Sequence, residues 1–136
     1  MKKYIVLLMA IYLLVLTGCL PNLKPRKPMV SLLQDTIQIK ICNTGLGHAG
    51  SQLTYIEIND VNAPDSVKPQ SQYTVRVPAI KRWSSWKSNV IPFGSFSTPS
   101  GINLQTMTKA NVVVNVDAKD MVKESNEKDN IYDANH

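Results

Sequence analysis

The chain has 136 residues, with 15 Lys and Arg against 10 Asp and Glu, which gives a formal charge of +5. This length fits one small domain and excludes a two-domain dinucleotide-binding enzyme, a (β/α)₈ barrel and a multi-span transporter, since each needs far more chain. Without the N-terminal segment that carries Lys2 and Lys3, the balance is 13 − 10 = +3. A surplus this small, scattered along the chain, does not indicate a nucleic-acid partner.

The N-terminus has the pattern of a bacterial export signal. Residues 4–16 are apolar, follow two lysines and precede small residues. As a helix they would rise only about 20 Å, which is short of the roughly 30 Å hydrocarbon core of a bilayer but typical of a signal peptide. The string Leu16-Thr17-Gly18-Cys19 resembles a bacterial lipobox. That resemblance implies cleavage before Cys19, a diacylglycerol on its sulfur and acylation of the new amine by a fatty acid such as palmitate.

This pattern predicts a chain in three parts: a signal peptide at 1–18, a lipidated Cys19 with a tether at 19–28, and one domain at 29–136. The tether is expected because residues 20–28 contain three prolines and three basic residues. Two or three acyl chains hold a protein on a membrane where one would not. In enteric lipoproteins, an Asp directly after the lipidated cysteine resembles a signal for retention at the inner membrane. This chain has Leu20 at that position, which by analogy favours the outer membrane. An ordinary secretory signal or an uncleaved anchor, with Cys19 incidental, is the alternative.

The body of the chain is patterned as short β-strands. Strands are predicted at residues 29–33, 36–42, 53–58, 73–77, 90–93, 110–117 and 131–132. In the second of these, Ile37, Ile39 and Ile41 alternate with Gln38 and Lys40, which is typical of a strand with one buried face. Residues 53–58 are apolar on both faces and are expected to be more central. The pattern predicts an all-β fold, an immunoglobulin-like β-sandwich of about seven strands, with a small barrel as the alternative.

Three segments resemble one family, the CARDB domains (cell-adhesion-related domains found in bacteria). Residues 37–50 are similar to its V-x-V-x-V-x-N-x-G-x-x-x-A-G stretch, residues 114–130 to its closing signature, and Pro21-Asn22-Leu23 to its opening Pro-Asp-Leu. The resemblance implies an immunoglobulin-like sandwich of bacterial surface or secreted proteins, with an adhesive or interaction role. The chain departs from the family in having a single copy, and in carrying residues 81–86 where a Gly/Ala-rich turn is usual.

The closing segment also contains a cluster of acidic residues. Calcium takes six to eight oxygen ligands from a flexible loop, so a calcium site is one hypothesis. No EF-hand spacing is present, and interleaved lysines favour a solvated, self-compensated loop, so no metal is predicted. Polar side chains of this segment are also suited to capping backbone groups. The five acidic residues are Asp117, Asp120, Glu124, Glu127 and Asp129.

Trp83 and Trp86 are the two tryptophans of the chain, and they are flanked by Lys81, Arg82 and Lys87. Exposed aromatic side chains with cationic neighbours can form a binding surface for a sugar or a protein. The alternative is structural, with one indole covering the end of the core and the other packing under a loop.

Enzyme activity is not expected. The chain has two histidines, His48 and His136, too few for a three-histidine zinc site, and it has no Gly-x-Ser-x-Gly elbow and no glycine-rich phosphate loop. Cys42 is expected to be a half-buried thiol without a partner. No cofactor is predicted.

The sequence therefore predicts an envelope lipoprotein, anchored in the membrane by its N-terminal lipid, whose single domain is a protein- or glycan-binding, adhesion-type module. The alternative is a small structural or accessory subunit of an envelope assembly or secretion complex. An envelope hydrolase is the weakest of the three hypotheses.

Overall fold

The computed structural model describes residues 19–61, 71–100 and 102–134, which form an all-β fold. The predicted signal peptide at 1–18 lies outside the described residues. Short 3₁₀ turns occur at Phe93–Ser95, Leu104–Thr106 and Glu127–Asp129. Across the described ranges, no helix has the length and hydropathy needed to cross a membrane. The strands are β1 (Leu23–Pro25), β2 (Met29–Ser31), β3 (Thr36–Gln38), β4 (Lys40–Asn43), β5 (Gln52–Asp60), β6 (Ser71–Val77), β7 (Ser84–Lys87), β8 (Ile91–Pro92), β9 (Ala110–Asn115) and β10 (Ile131–Asp133).

All strand pairs are antiparallel, and the largest sheet has the order β10-β9-β5-β6. β5 is central, as its apolar pattern predicts. Thr54, Ile56 and Ile58 are buried on one of its faces, while the residues between them are half-buried. The other strands form two three-stranded sheets, β1-β4-β7 and β2-β3-β8.

These two small sheets follow one another along the same strands, because only Ile39 separates β3 from β4. At this break, Ser88, which lies between β7 and β8, makes hydrogen bonds in place of those of a regular strand pair. Its hydroxyl accepts a hydrogen bond from Ile39 N (3.1 Å), and its N–H donates to Ile39 O (3.0 Å). The buried backbone groups of Ile39 therefore stay paired although the regular strand is interrupted.

One hydrophobic cluster joins the sheets into a β-sandwich-like fold. Ile37, Ile39 and Ile41 contribute to it from the small sheets, while Ile56 and Val114 contribute from the four-stranded sheet, and all five are at most 1% exposed. The alternation predicted for residues 36–42 is confirmed. The described strands form three separate sheets with edges, which is consistent with a sandwich and differs from the alternative, a small barrel, in which the sheet closes on itself.

The predicted tether is wrong as a description of residues 21–28. Leu23 is fully buried and pairs with Asn43, so the sheet already includes β1. Proline is tolerated in β1 because this strand lies at a sheet edge, where a missing N–H costs no ladder bond. The folded part of the chain therefore begins before residue 29, within a few residues of Cys19.

Candidate functional site

The two tryptophans have different environments. Trp86 lies in β7 opposite Ile41 and packs, half-buried, against the core. Trp83 is 69% exposed and has φ of 56° in a tight turn closed by a hydrogen bond from Ser84 N to Lys81 O (3.2 Å). A bulky side chain at positive φ is uncommon and strained. The predicted binding surface is thus reduced to Trp83, because Trp86 serves the core.

Trp83 borders an open concavity of about 390 Å³. Its lining includes Thr44 and Ser85, and also Cys42, a half-buried free thiol as expected from the sequence. The concavity is open to solvent, and its lining offers hydroxyls, one thiol, one amide and one indole.

The turn that carries Trp83 is tied to the N-terminal segment through one buried amide. Asn43 Oδ1 accepts from Asn22 N and Gly45 N, both at 3.1 Å. Its Nδ2 donates to Gly47 O (2.8 Å) and Ile80 O (3.1 Å). A side chain that is 1% exposed thus joins three separate stretches of chain with all four bonds made.

The glycines of the same loop allow the N-terminal segment to lie directly on it. Gly47 N donates to Leu20 O (3.2 Å), and a methyl group added at Gly47 would overlap the backbone of Cys19. A methyl group at Gly45 would overlap the backbone of Leu20, Pro21 and Asn22. Cys19 is exposed, as an attachment site requires, and it sits against the domain rather than at the end of a stalk.

The acidic residues of the closing segment bind the chain's own backbone. Asp117, 2% exposed, accepts from Met121 N (2.9 Å) and Val122 N (2.7 Å). Glu127 accepts from Glu124 N (2.8 Å). Asp120 is exposed.

Two further acids fasten β1. Asp129 forms an ion pair with Lys24 (2.7 Å), and Glu124 accepts a hydrogen bond from Leu23 N. In the part of the chain that the structure describes, no three His, Cys, Asp or Glu side chains are placed to hold one metal ion. The five acids of the calcium hypothesis therefore do not converge, and the backbone hydrogen bonds of Asp117, Glu124 and Glu127 match the capping role expected for the segment.

Glu124 is the one ionisable group here with a clearly shifted pKa. Burial raises the pKa of this carboxyl, the hydrogen bond from Leu23 N lowers it and the charge of Glu127 adds a smaller increase, so that the pKa lies at about 7 instead of 4.5. Its Oε1 is buried and has no hydrogen-bond partner among the described residues. The carboxyl that holds β1 thus changes charge near neutral pH.

A second exposed surface lies along the edge of β2. Met29 is 65% exposed, with Val30 and Val90 beside it, and Leu33, in the turn that follows β2, is 97% exposed. An apolar cleft of about 490 Å³ separates β2 from β9 and β10, and Tyr132 lies in its lining. β2 and β10 are both edge strands. The sequence favours binding through an exposed strand edge or the tryptophan turn, but it does not tell which strands lie at the edges of the sheets.

Comparison of the chain with protein-family models, curated proteins and solved structures finds no match. The resemblance to CARDB domains therefore depends on the residues of this chain alone.

Proposed function

We propose that this protein is a lipid-anchored bacterial envelope protein whose single immunoglobulin-like domain, resembling CARDB domains, binds a protein or glycan through the edge of β2. The observation that carries the proposal is the pair of exposed features on one small all-β domain: Cys19 at its start, and the apolar β2 edge beside a cleft. An apolar patch of this kind, next to unpaired strand edges, is typical of an interaction site.

The strand arrangement supports the immunoglobulin-like assignment. When each interrupted pair is counted as one strand, β1/β2, β3/β4 and β7/β8 make a three-stranded layer, and β10, β9, β5 and β6 make a four-stranded layer. Seven antiparallel strands in two layers of this kind are typical of immunoglobulin-like sandwiches.

The residues that carry the family resemblance have structural roles, which supports the resemblance and removes them from the list of ligand-binding candidates. Asn43 joins three stretches of chain, and Ala49, 1% exposed, forms a bridge with Ile80. In the closing segment, Ser125 N and its hydroxyl both donate to Pro21 O. Because these motif residues stabilise the fold, we assign ligand binding to other surfaces of the domain.

The β2 edge can accept an extended segment of a partner. Among the described strands, β2 has one hydrogen-bonded neighbour, β3, so its outer edge is available for strand addition. Met29 and Val30 would supply apolar contacts beside such a segment, and the cleft would accept one of its side chains. Main-chain hydrogen bonds would provide affinity, and the cleft would provide selectivity.

Two experiments test the proposal. Cells grown with a labelled fatty acid should label the native chain and not Cys19→Ser, and label on the variant would contradict the anchor. A photo-crosslinking residue at Val30 should capture an envelope protein or glycan, while the same residue at exposed Arg76 on β6 should not. Equal capture at both positions would contradict a β2-edge site. Capture of one stoichiometric protein, with resistance to protease added outside intact cells, would favour the accessory-subunit alternative.

A further inference from the structure

Three loops and the anchor cysteine meet at one end of the domain. Gln52 pairs with Val77, and Asp117 N donates to Gln52 Oε1 (3.0 Å), so the chain before β5, after β6 and after β9 lies at the same end. We call this end the Cys19 pole. It consists of Cys19 and Leu20 with residues 44–51, 78–83 and 117–124.

The contacts between these loops fix them relative to one another. Ala49 and Ile80 exchange two backbone hydrogen bonds (2.9 and 3.0 Å). A Cβ at Gly50 would be in ordinary contact with Val122 at 3.9 Å, and Gly47 holds Leu20. The pole is therefore one surface.

Each loop places one large apolar side chain in solvent at this pole. Leu46 is 50% exposed, Trp83 is 69% exposed and Met121 is 48% exposed. Side chains of this kind, and tryptophan above all, are favoured at the interface between water and a bilayer.

The charge of the pole matches an anionic lipid surface. Its exposed cationic residues are Lys81, Arg82, Lys119 and Lys123, and its exposed acid is Asp120, so the exposed balance is 4 − 1 = +3. The other two acids of these loops, Asp117 and Glu124, are buried and hydrogen-bonded to backbone. Basic residues near a membrane surface are attracted to anionic headgroups.

We infer that the Cys19 pole is a membrane-docking surface, in which Leu46, Trp83 and Met121 enter the headgroup region of an anionic bilayer and the basic residues contact lipid headgroups. This inference depends on the proposed lipid anchor, because Cys19 brings the pole to the bilayer. Since no flexible stalk separates Cys19 from the domain, the anchor also orients it. The β2 edge then stays available to a partner.

Fluorescence of the full chain in vesicles tests the inference. Trp86→Phe leaves Trp83 as the single tryptophan, and the protein is reconstituted in vesicles of phosphatidylcholine and phosphatidylglycerol with brominated acyl chains. Trp83 should lose about half of its emission or more, because bromine quenches an indole at the interface. The difference between the native chain and Trp83→Phe gives the same readout if Trp86→Phe does not fold. In Trp83→Phe, the emission of Trp86 should not change.

Charge reversal supplies a matched pair of variants. Lys81→Glu with Arg82→Glu should reduce the quenching of Trp83, with contact weakened roughly fivefold for each cation removed. Lys27→Glu with Lys109→Glu makes the same charge change away from the pole and should leave the quenching unchanged. Equal effects of the two pairs would overturn the inference.

The outcomes separate this inference from the anchor itself. If Cys19 is labelled by fatty acid but Trp83 is not quenched, the docking surface is wrong and the anchor stands. If the label is absent, the anchor is wrong, and the same vesicle assay on the isolated chain still decides the surface. A change in Trp83 emission with an envelope protein or glycan, and none with vesicles, would assign the pole to a partner and overturn the inference.

Discussion

Two buried polar side chains, Asn43 and Glu124, hold the same N-terminal segment to the domain from opposite sides. Asn43 binds Asn22 N from the end of β4, and Glu124 binds Leu23 N from the loop that follows β9. Both side chains are almost fully buried. They differ in chemistry, because Asn43 is a neutral amide with every donor and acceptor used, whereas Glu124 is a carboxyl with one oxygen unpartnered.

The comparison shows that two side chains with similar positions can respond differently to the surroundings. A neutral, fully hydrogen-bonded amide contributes the same stability at any ordinary pH. A buried carboxyl contributes stability that depends on its protonation. The attachment of the N-terminal segment therefore has one constant component and one that varies near neutral pH.

The largest effect is expected from Asn43→Ala. It leaves the N–H groups of Asn22 and Gly45 and the carbonyl of Gly47 without this partner, while Ile80 O keeps its bond from Ala49 N, and we expect a loss of about 4 kcal/mol in the free energy of unfolding. Urea denaturation of the purified chain measures it. Asn89→Ala, at an exposed position, is the control and should change stability by less than about 0.5 kcal/mol. A loss at Asn43 as small as that of the control would mean that the amide does not join the segments.

Gly45→Ala tests the same attachment without removing a hydrogen-bonding group. The added methyl group overlaps the backbone of the N-terminal segment, which must move away, and we expect a loss of about 3 kcal/mol. In Gly94→Ala, the new methyl group meets no atom of the described residues within 4 Å, so thermal unfolding should be nearly unchanged. Equal melting temperatures for the two variants would contradict the close packing at Gly45.

The pH dependence of stability tests the Glu124 side of the comparison. Its pKa is higher in the folded chain than in the unfolded chain, so the folded state holds the proton more tightly. Its stabilising contribution is complete below pH 4.5 and is lost as pH rises through about 7. We expect a decrease of about 3 kcal/mol or less across this window, since one pKa unit corresponds to about 1.4 kcal/mol and solvent screens part of the effect.

Glu124→Gln should remove that pH-dependent loss, because the amide keeps an acceptor for Leu23 N and cannot ionise. Glu57→Gln is the control and should retain the native pH profile, because the hydrogen bond that Glu57 accepts from Gln72 (3.4 Å) is exposed to solvent. Denaturation curves at pH 5 and pH 8 give the comparison directly. A Glu124→Gln profile as steep as the native one would assign the pH dependence to another group.

The smallest effect on stability is expected from Trp83→Ala, since this side chain is mostly in solvent. The free energy of unfolding should change by less than about 0.5 kcal/mol. Trp86→Ala, which removes a ring packed on the core, should cost about 2 kcal/mol or more by the same denaturation assay. If the two losses are similar, Trp83 packs on the domain and does not form an exposed surface.

Much of the fold could be predicted from local pattern. The alternation of Ile37, Ile39 and Ile41 and the two apolar faces of β5 reflect the period-two geometry of strands, and both predictions are confirmed. β1 and β7 were missed. One contains a proline and the other two serines, and each is a strand because β4 lies beside it.

The candidate sites could be predicted only in part. The exposed tryptophan was one of two possibilities, and the tryptophan spacing does not decide which indole faces the core. The role of Asn43 could not be predicted, because its partners Asn22 and Ile80 are 21 and 37 residues away in the chain. The raised pKa of Glu124 likewise depends on burial by a distant strand.

The central claim is that the folded domain begins directly after Cys19, and native-state hydrogen exchange tests it most directly. The backbone N–H groups of Asn22, Leu23 and Arg26 bind Asn43, Glu124 and Lys40 O in the folded chain. These amides should exchange far more slowly than unprotected amides and should lose protection in Asn43→Ala. If the amides of residues 22–26 exchange at the unprotected rate in the native chain, this segment is a flexible tether, and the central claim is contradicted.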